Sequence, residues 1–346
     1  MLTVIAGFSS LWSEAVERLS LTLRDSYGYL GITGLREIGR GLDARVYRGE
    51  SASLGPVAVR VPRARWLNSG NETRLDTRLQ LRQEFDLSRH LRAHGLPVPE
   101  VFATHASGTS AGFTIAQYVE SDDSELPDDE FGRLIRAIHE IPAPPLDLVC
   151  MQSREDADQV LAERIGDRLK KLAAVTELDV PFPDIRAALG ADRGDGLPRR
   201  LLHMDLRKEN ILVRAGRPVA ILDWSNALIG DPALDLARAA EYGSLTPAAL
   251  AAYGEAGNFT MSSLTPLTPM TPLGALGPLT PLGALGPLGA LGSLGPLGAL
   301  TPRQAVYRLD TAVMLSHVFL DGAPDQAKAR HYIGRTKSLC RRLAGG

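Results

Sequence analysis

The feature that most constrains the fold is a pair of short apolar runs, 211–213 and 219–222, separated by a turn-forming segment. Ala215-Gly216-Arg217-Pro218 between the runs is typical of a hairpin turn. Polar residues stand beside both runs rather than within them. The segment 201–223 is therefore predicted to contain two strands joined by a tight turn and flanked by polar side chains.

These flanking residues have the spacing that phosphoryl transfer requires. His203, Asp205 and Asn210 form the pattern His-x-Asp-x-x-x-x-Asn before the first run, and Asp223 ends the second run. A short loop with this spacing aims an aspartate at an acceptor hydroxyl, while the asparagine five residues on reaches a metal that bridges phosphates. An aspartate after the next strand can hold Mg²⁺ against nucleotide oxygens.

A glycine-containing segment lies further upstream, between two predicted strands. Gly39-Arg-Gly41-Leu-Asp-Ala44-Arg-Val46 fits a loop that covers phosphates, since glycines let backbone N–H groups approach phosphate oxygens. An ordinary hairpin turn explains the same residues. A dinucleotide-binding loop would need a helix to begin here, whereas the residues that follow have a strand pattern.

The first 169 residues contain no lysine, so a cation that binds phosphates from this part of the chain must be an arginine. Val57-Ala-Val-Arg60 predicts Arg60 on a third strand, where such a cation pairs with the phosphates and is held by a helix carboxylate. Glu84, in a helix predicted over about 71–94, is the preferred partner, and Glu72 is the second choice. The alternative for Arg60 is a surface arginine at a strand edge.

The order of the predicted elements indicates an α+β protein, with strands first and helices after. A short leading helix is predicted over residues 11–25, and an acidic stretch, 120–130, leads into a further helix. Gly95 is predicted to end the helix that carries Glu84. The predicted strands, besides the two apolar runs, are 35–39, 44–47, 57–61 and 113–119. 

A helix is also predicted to begin after Asp231. Asp231 fits the N-cap and Pro232 the first helical position. Asp235 would lie one turn into this helix, where its carboxylate can bond back to the loop around Asp205.

Composition narrows the possible partners. With 38 basic and 40 acidic residues, the formal charge is −2, which does not fit binding along a nucleic-acid backbone. Cys150 and Cys340 are too few for a disulfide framework and are interpreted as reduced thiols. The N-terminus lacks the basic region of a secretory signal, so a cytoplasmic location is expected.

Residues 264–302 carry no charged side chain and repeat every three positions. A collagen-like triple helix is disfavoured because threonines interrupt the glycine series, and a membrane span because prolines and glycines recur throughout. The preferred interpretation is a low-complexity insertion, extended or disordered on the surface. A leucine ridge for self-association, formed in a polyproline II conformation, is the alternative.

Taken together, the motifs resemble the aminoglycoside phosphotransferase and choline kinase-like family. The segments that carry the resemblance are REIGRGLDARVY (36–47), VAVRVP (57–62), LRQEFDLSRHLRAHGLPVPEVF (81–102), LIRAIHEIP (134–142), LLHMDLRKENILV (201–213) and AILDWSNALIGDPALDLAR (220–238). The resemblance implies a protein-kinase-like bilobal fold, with an antiparallel sheet plus a helix in the first lobe and a mainly helical second lobe. The implied divisions are a helical extension (1–30), a nucleotide-binding lobe (31–119), a catalytic and acceptor-binding lobe (120–263 and 303–346) and the insertion (264–302).

The resemblance also implies roles for individual residues. Asp205 would be the catalytic base, and His203 the histidine that stabilises its loop. The Mg²⁺ ligands would be Asn210 and Asp223. The nucleotide, ATP or GTP, would contact Gly39, Gly41, Val46, Arg60, Glu84 and the purine-binding hinge Gln117, Tyr118 and Val119.

Two departures from the family pattern bear on function. Arg60 replaces the usual lysine, and the 264–302 insertion interrupts the region that usually binds the acceptor.

The leading hypothesis is a phosphotransferase acting on a hydroxyl of a small molecule, preferably an antibiotic such as an aminoglycoside. A kinase of a small metabolite (choline, homoserine or a sugar) and a catalytically silent nucleotide-binding module are the alternatives. Neither nucleic acid nor a membrane is expected as a partner, and the protein is expected to be a monomer or homodimer.

Overall fold

The computed structural model describes residues 17–72, 74–108, 110–122, 124–151, 156–191, 199–255 and 300–345. The 264–302 insertion lies outside these ranges except for its last three residues, and the predictions made for it are not tested.

The described elements confirm the α+β class, with strands concentrated early in the chain and helices late. The strands are β1 (Ile32–Arg40), β2 (Ala44–Ser51), β3 (Gly55–Pro62), β4 (Trp66–Leu67), β5 (Leu75–Asp76), β6 (Val101–His105), β7 (Phe113–Gln117), β8 (Arg200–Leu202), β9 (Ile211–Arg214), β10 (Arg217–Ile221) and β11 (Leu228–Gly230). The helices are α1 (17–27), α2 (Thr77–Ala93), α3 (Asp128–Glu140), α4 (Ala157–Val175), α5 (Ile185–Ala191), α6 (Ala233–Glu241), α7 (Pro247–Glu255), α8 (Pro302–His317) and α9 (Gln326–Ala344).

The first part of the chain builds a five-stranded antiparallel sheet in the order β1-β2-β3-β7-β6. Alternation in β3 decides which side chains enter its core: Val57 and Val59 are fully buried beneath α1, which contributes Leu19 and Leu23. Arg60 has the opposite parity and therefore points to the other face of the sheet. The leading helix thus packs on the sheet that carries the predicted nucleotide site.

Helix α2 begins later than predicted. Asp76 caps it, with Oδ1 accepting from the Arg78 N–H at 3.1 Å, and the residues before it form a small hairpin, β4–β5. The helix ends as predicted at Gly95, whose φ is +80°. The Leu96 N–H bonds back to the Leu91 carbonyl at 3.0 Å, so the end is a Schellman motif.

The second part is mainly helical and encloses the largest apolar core, which α3, α4 and α8 supply together with β8–β11. The strands around the His203–Asn210 motif pair locally, β9 with β10 and β8 with β11. Strands β6, β8 and β11 and the β4–β5 hairpin were not predicted from the sequence. None of the described helices combines the length and the apolar character needed to cross a bilayer.

Candidate active site

A cavity of about 1070 Å³ lies between the sheet and the helical part. Nearly all of the predicted site residues line it, although they come from widely separated elements. The predicted residues on its wall are Gly39, Gly41, Val46, Arg60, Glu84, Gln117, Tyr118, Val119, Asp205, Asn210 and Asp223. Only His203 of the predicted set is absent from the wall.

The backbone of the loop between β8 and β9 is hydrogen-bonded to the Asp235 side chain of α6. Its Oδ2 accepts from the His203 N–H and its Oδ1 from the Met204 N–H, both at 2.8 Å. Met204 has a left-handed φ of +65°, a conformation that most residues avoid and that these two bonds fix. The Asp235 bond predicted from the sequence is therefore present.

The His203 ring lies against this loop, and both of its nitrogens contact backbone groups. Its side chain is fully buried and tilts against the Trp224 ring, 4.4 Å between centroids. Nε2 lies 3.0 Å from the Leu222 carbonyl, and Nδ1 accepts from the Asp205 N–H at 3.2 Å. Burial lowers the pKa of His203, which keeps the ring neutral and consistent with Nε2 as the donor. The loop-stabilising role that the resemblance implies for His203 fits this geometry.

The Asp205 carboxylate is contacted on both oxygens. Oδ2 accepts from Asn210 Nδ2 at 2.9 Å and lies 3.6 Å from Arg207 Nε. Oδ1 accepts from the Tyr242 hydroxyl at 2.6 Å. Sequence reasoning missed Arg207 and Tyr242; Arg207 lies within the motif itself, but nothing local points to Tyr242.

Asn210 and Asp223 stand at the same end of the β9–β10 hairpin. The Ile211–Ile221 pair closes that end, and the Leu222 N–H bonds the Asn210 carbonyl at 2.8 Å. The other end turns through Ala215 and Gly216, both with positive φ, which is a type I′ turn. Pairing of the strands is therefore what brings the two predicted metal ligands together.

The donor set of this end fits Mg²⁺. Asn210 uses its amide N–H on Asp205, which leaves its carbonyl oxygen for a cation, and Asp223 offers a carboxylate. Burial acts to raise the pKa of Asp223, but Arg60 and the Ser225 hydroxyl, 2.7 Å from Oδ1, outweigh it and lower the pKa. No group of three or more His, Cys, Asp or Glu in the described ranges could hold a metal. Two protein oxygens, completed by phosphates and water, are the usual arrangement for Mg²⁺.

Arg60 makes the predicted ion pair with Glu84. Its Nη1 lies 3.4 Å from Glu84 Oε2, and its Nη2 also reaches Asp223 Oδ1 at 3.7 Å. Burial acts to lower the pKa of Arg60, but the Glu84 and Asp223 carboxylates outweigh it and raise the pKa, so the guanidinium stays charged. Glu72, the second choice, pairs instead with Arg168, 3.6 Å away.

The glycine segment forms the turn between β1 and β2, but it differs from an open phosphate cradle. The Gly41 N–H donates to the Ala44 carbonyl at 2.9 Å and is used within the turn. Asp43 also lies on the cavity wall, and burial together with the nearby Asp223 raises its pKa. The prediction that glycine N–H groups face phosphates therefore does not hold for Gly41.

The predicted hinge follows β7. The Gln117 N–H bonds the Glu100 carbonyl at 2.7 Å, and the Tyr118 N–H lies 3.2 Å from the Pro56 carbonyl. Arg48 covers the Tyr118 ring at 4.8 Å. Apolar Val46 and Ala58 line the cavity nearby, as a flat aromatic base requires.

The opposite end of the cavity contains a charge cluster that the sequence did not reveal. Asp310 of α8 is fully buried and accepts from Arg164, Arg168 and Arg238, with N···O distances of 2.6–3.0 Å. Burial and the neighbouring Arg164 lower the pKa of Arg168 to about 10. The one available signal was the Arg164–Arg168 spacing, which places both side chains on one face of α4.

The β4–β5 hairpin reaches this cluster from the sheet side. Asn71 Nδ2 donates to the Met314 carbonyl at 3.1 Å, and Lys171 Nζ lies 3.0 Å from the Ser69 carbonyl. Gly70 sits so close to His317 that a Cβ would lie 2.0 Å from its Nδ1. The hairpin thus contacts α4 and α8 and contributes residues 66–72 to the cavity wall.

Comparison with known proteins identifies the architecture. The family model described as "Phosphotransferase enzyme family" matches residues 34–267. A thermostable mutant of the aminoglycoside phosphotransferase APH(4)-Ia, in ternary complex with ADP and hygromycin B, is a structural relative at 18% identity. The alignment covers 94% of this chain and 100% of that one, with a TM-score of 0.53.

Two further structures have the same fold at 16% identity, each aligned over 94% of this chain. The macrolide 2'-phosphotransferase type I is covered to 97% with a TM-score of 0.54. A proposed fructosamine-3-kinase from Haemophilus somnus 129PT is covered to 96% with a TM-score of 0.57. No match is found among curated protein sequences. The expected protein-kinase-like bilobal fold is confirmed.

Proposed function

Because this chain belongs to the phosphotransferase enzyme family, we propose that it transfers the γ-phosphoryl group of ATP or GTP to a hydroxyl of a small molecule. The observation that carries the proposal is the common position of Asp205, Asn210 and Asp223 on the wall that also holds the Arg60–Glu84 pair. A base, two metal ligands and a phosphate-binding cation therefore face one space.

In this mechanism the side chains have separate tasks. Asp205 orients the acceptor hydroxyl and accepts its proton, which requires hydrogen-bond distance. Asn210 and Asp223 would hold Mg²⁺, which supplies charge neutralisation of the phosphates when bound. Arg60, kept in place by Glu84, pairs with phosphate oxygens through its planar guanidinium. Tyr118 and its neighbours would receive the purine.

The preferred acceptor is a hydroxylated antibiotic, and the second is a small metabolite. The related structures support both classes, since one holds hygromycin B and another is a proposed fructosamine-3-kinase. The cytoplasmic location and the monomeric or homodimeric state remain predictions.

A coupled nucleotide-consumption screen tests the proposal. ATP and GTP are supplied in parallel with Mg²⁺, against aminoglycosides, macrolides and hydroxylated metabolites. We expect acceptor-dependent turnover that falls by about 10²–10⁴-fold in Asp205→Ala, because general-base positioning is lost. Asp86→Ala, at an exposed position of α2, is the control and should turn over normally. Normal turnover in Asp205→Ala would contradict the assignment.

The contact between Arg60 and Asp223 supports one alternative function, a nucleotide-binding module without transfer activity. Its guanidinium reaches Asp223, so the cation and a metal would share one carboxylate. Such a module would show thermal stabilisation by Mg-nucleotide without phosphate transfer to any acceptor screened. Transfer to a single acceptor excludes it.

A further inference from the structure

The Asp205 carboxylate already has a hydroxyl partner within the chain. The Tyr242 hydroxyl donates to Oδ1 at 2.6 Å, and Tyr242 lines the cavity. The other oxygen, Oδ2, is used by Asn210 at 2.9 Å. Asp205 Oδ1 is therefore the carboxylate oxygen that accepts from a hydroxyl, and this hydroxyl belongs to Tyr242.

Tyr242 is fixed to the element that also fixes Asp205. It caps the C-terminus of α6, where its N–H bonds the Arg238 carbonyl at 3.0 Å. Its side chain packs against the apolar cluster Leu315, Phe319, Ala329 and Tyr332. The same helix carries Asp235, which holds the loop of Asp205. Burial and the adjacent carboxylate raise the pKa of Tyr242 well above its ordinary value, so the phenol stays protonated and remains a donor.

In the proposed reaction, the acceptor hydroxyl must donate a hydrogen bond to Asp205 Oδ1, as the Tyr242 hydroxyl does in this structure. A general base needs its proton donor within about 2.6–3.2 Å, and the Tyr242 hydroxyl meets this condition on Oδ1. A water molecule at the same place would meet it too, and nucleotide hydrolysis would follow. Exclusion of that water is a recognised requirement for transfer enzymes.

We propose that the Tyr242 hydroxyl is a placeholder: it occupies the acceptor-hydroxyl position on Asp205, leaves when the acceptor binds, and denies that position to water in between. The inference rests on the proposed function, since it needs a bound nucleotide and Asp205 as base.

The reaction that the placeholder suppresses is ordinary hydrolysis. Water would give a proton to the Asp205 carboxylate as its oxygen bonds to the γ-phosphorus. The bond from that phosphorus to the β–γ bridging oxygen would break, leaving nucleoside diphosphate and inorganic phosphate. With an acceptor present, its hydroxyl oxygen makes the new bond and the product is a phosphate ester.

The test is the release of phosphate from Mg·ATP and Mg·GTP by Tyr242→Phe with no acceptor present. Phenylalanine keeps the ring and removes only the hydroxyl, so we expect hydrolysis to rise by about tenfold, the effect of removing one competing hydrogen bond to a charged group. The rise should disappear in the Tyr242→Phe/Asp205→Asn double variant. Tyr332→Phe is the matched control, because its hydroxyl donates to the Glu241 carbonyl at 3.1 Å and does not line the cavity.

Transfer to an acceptor found in the screen separates this role from a structural one. The proposal predicts an unchanged kcat within about threefold and an equal or lower KM for the acceptor, because the acceptor no longer displaces a competing bond. Unchanged hydrolysis overturns it. A fall in both hydrolysis and kcat also overturns it, because Tyr242 would then position Asp205 instead.

Two further controls keep the result interpretable. Tyr242→Leu is a second hydroxyl-free variant, and a thermal melt of each variant shows whether it folds. Failure of the proposed function has its own signature: the wild type would show neither Mg-nucleotide stabilisation nor transfer. Stabilisation and transfer without a rise in hydrolysis count against the placeholder alone.

Discussion

At the scale of single residues, Arg60 is the most unusual member of the site. Its two terminal nitrogens divide between Glu84 at 3.4 Å and Asp223 at 3.7 Å. A lysine ammonium is a point charge and cannot span both carboxylates in this way. The arginine therefore links the nucleotide-binding pair to a predicted metal ligand.

Replacing Arg60 by lysine should lower the Mg²⁺ requirement. Without the second guanidinium nitrogen, Asp223 is released for the metal, and a contact of about 1 kcal/mol corresponds to a change of roughly fivefold. The Mg²⁺ concentration that gives half-maximal turnover, or half-maximal thermal stabilisation by the nucleotide, measures this requirement. Arg92→Lys, which affects an exposed pair with Glu100 away from the cavity, is the control. An unchanged or higher Mg²⁺ requirement would contradict the link.

Asp235 offers a second test at this scale. Its carboxylate is 3% exposed and accepts from two backbone N–H groups and from His139 Nε2, 3.2 Å away. Asp235→Asn replaces one carboxylate oxygen by an NH₂ group. Both oxygens accept hydrogen bonds, so this NH₂ group would face an N–H donor. We expect a loss of about 2–4 kcal/mol in the free energy of unfolding and a lower kcat.

The matched control is Asp325→Asn at the N-cap of α9. Asp325 Oδ1 accepts from the Ala327 and Lys328 N–H groups, both at 3.0 Å, and asparagine makes the same capping bonds. This variant should lose less than about 1 kcal/mol. Urea unfolding of both variants checks this prediction. An equal loss in the free energy of unfolding would contradict a special role of Asp235.

At the scale of elements, the β4–β5 hairpin depends on close approach at its tip. A Cβ on Gly70 would lie 2.0 Å from His317 Nδ1, and His317 is itself bound through Nε2 to the Arg168 carbonyl at 2.9 Å. Gly70→Ala should therefore push the tip away from α8, with a loss of about 1–3 kcal/mol and a higher KM for the acceptor.

Gly166→Ala is the control for that prediction, since nothing lies within 4 Å of its added Cβ on α4. It should be neutral or stabilising by up to about 1 kcal/mol. Thermal melts and acceptor kinetics of both variants check the prediction. An unchanged KM in Gly70→Ala would separate the hairpin from the acceptor site.

The same elements show what a sequence can reveal. The β9–β10 hairpin was predictable because its apolar runs, its turn and its polar residues are local, and Arg60 followed from the absence of any earlier lysine. The contacts of Tyr242 and Asp310 were not predictable, because each depends on a partner that is distant in sequence and brought close by the tertiary fold. The start of α2 was misplaced because polar residues at helical spacing precede it, while the cap is Asp76.

At the scale of the whole molecule, one turn of α2 connects the sheet to the catalytic region. Glu84 holds Arg60 of the sheet, and its neighbour Gln83 points to the helical part. The Gln83 amide donates to the Trp224 carbonyl at 2.7 Å, and its Oε1 accepts from the Val149 N–H at 2.7 Å. Adjacent residues of α2 thus contact Arg60, the predicted phosphate-binding cation, and the chain just after Asp223.

This arrangement predicts that Gln83→Leu weakens nucleotide binding although Gln83 does not line the cavity. The leucine is close in size, but it leaves the Val149 N–H without its partner, at a cost of about 1–3 kcal/mol. The Trp224 carbonyl keeps only its longer bond from the Ala227 N–H, at 3.3 Å. We expect a lower melting temperature and a KM for nucleotide raised by about tenfold. The KM for acceptor should change less, because α2 carries Glu84, the partner of Arg60. Asp86→Ala, exposed on the same helix, should change neither. Loss of stability with an unchanged nucleotide KM would show that Gln83 only joins the two parts, whereas a joint effect means that their closure sets the position of Arg60.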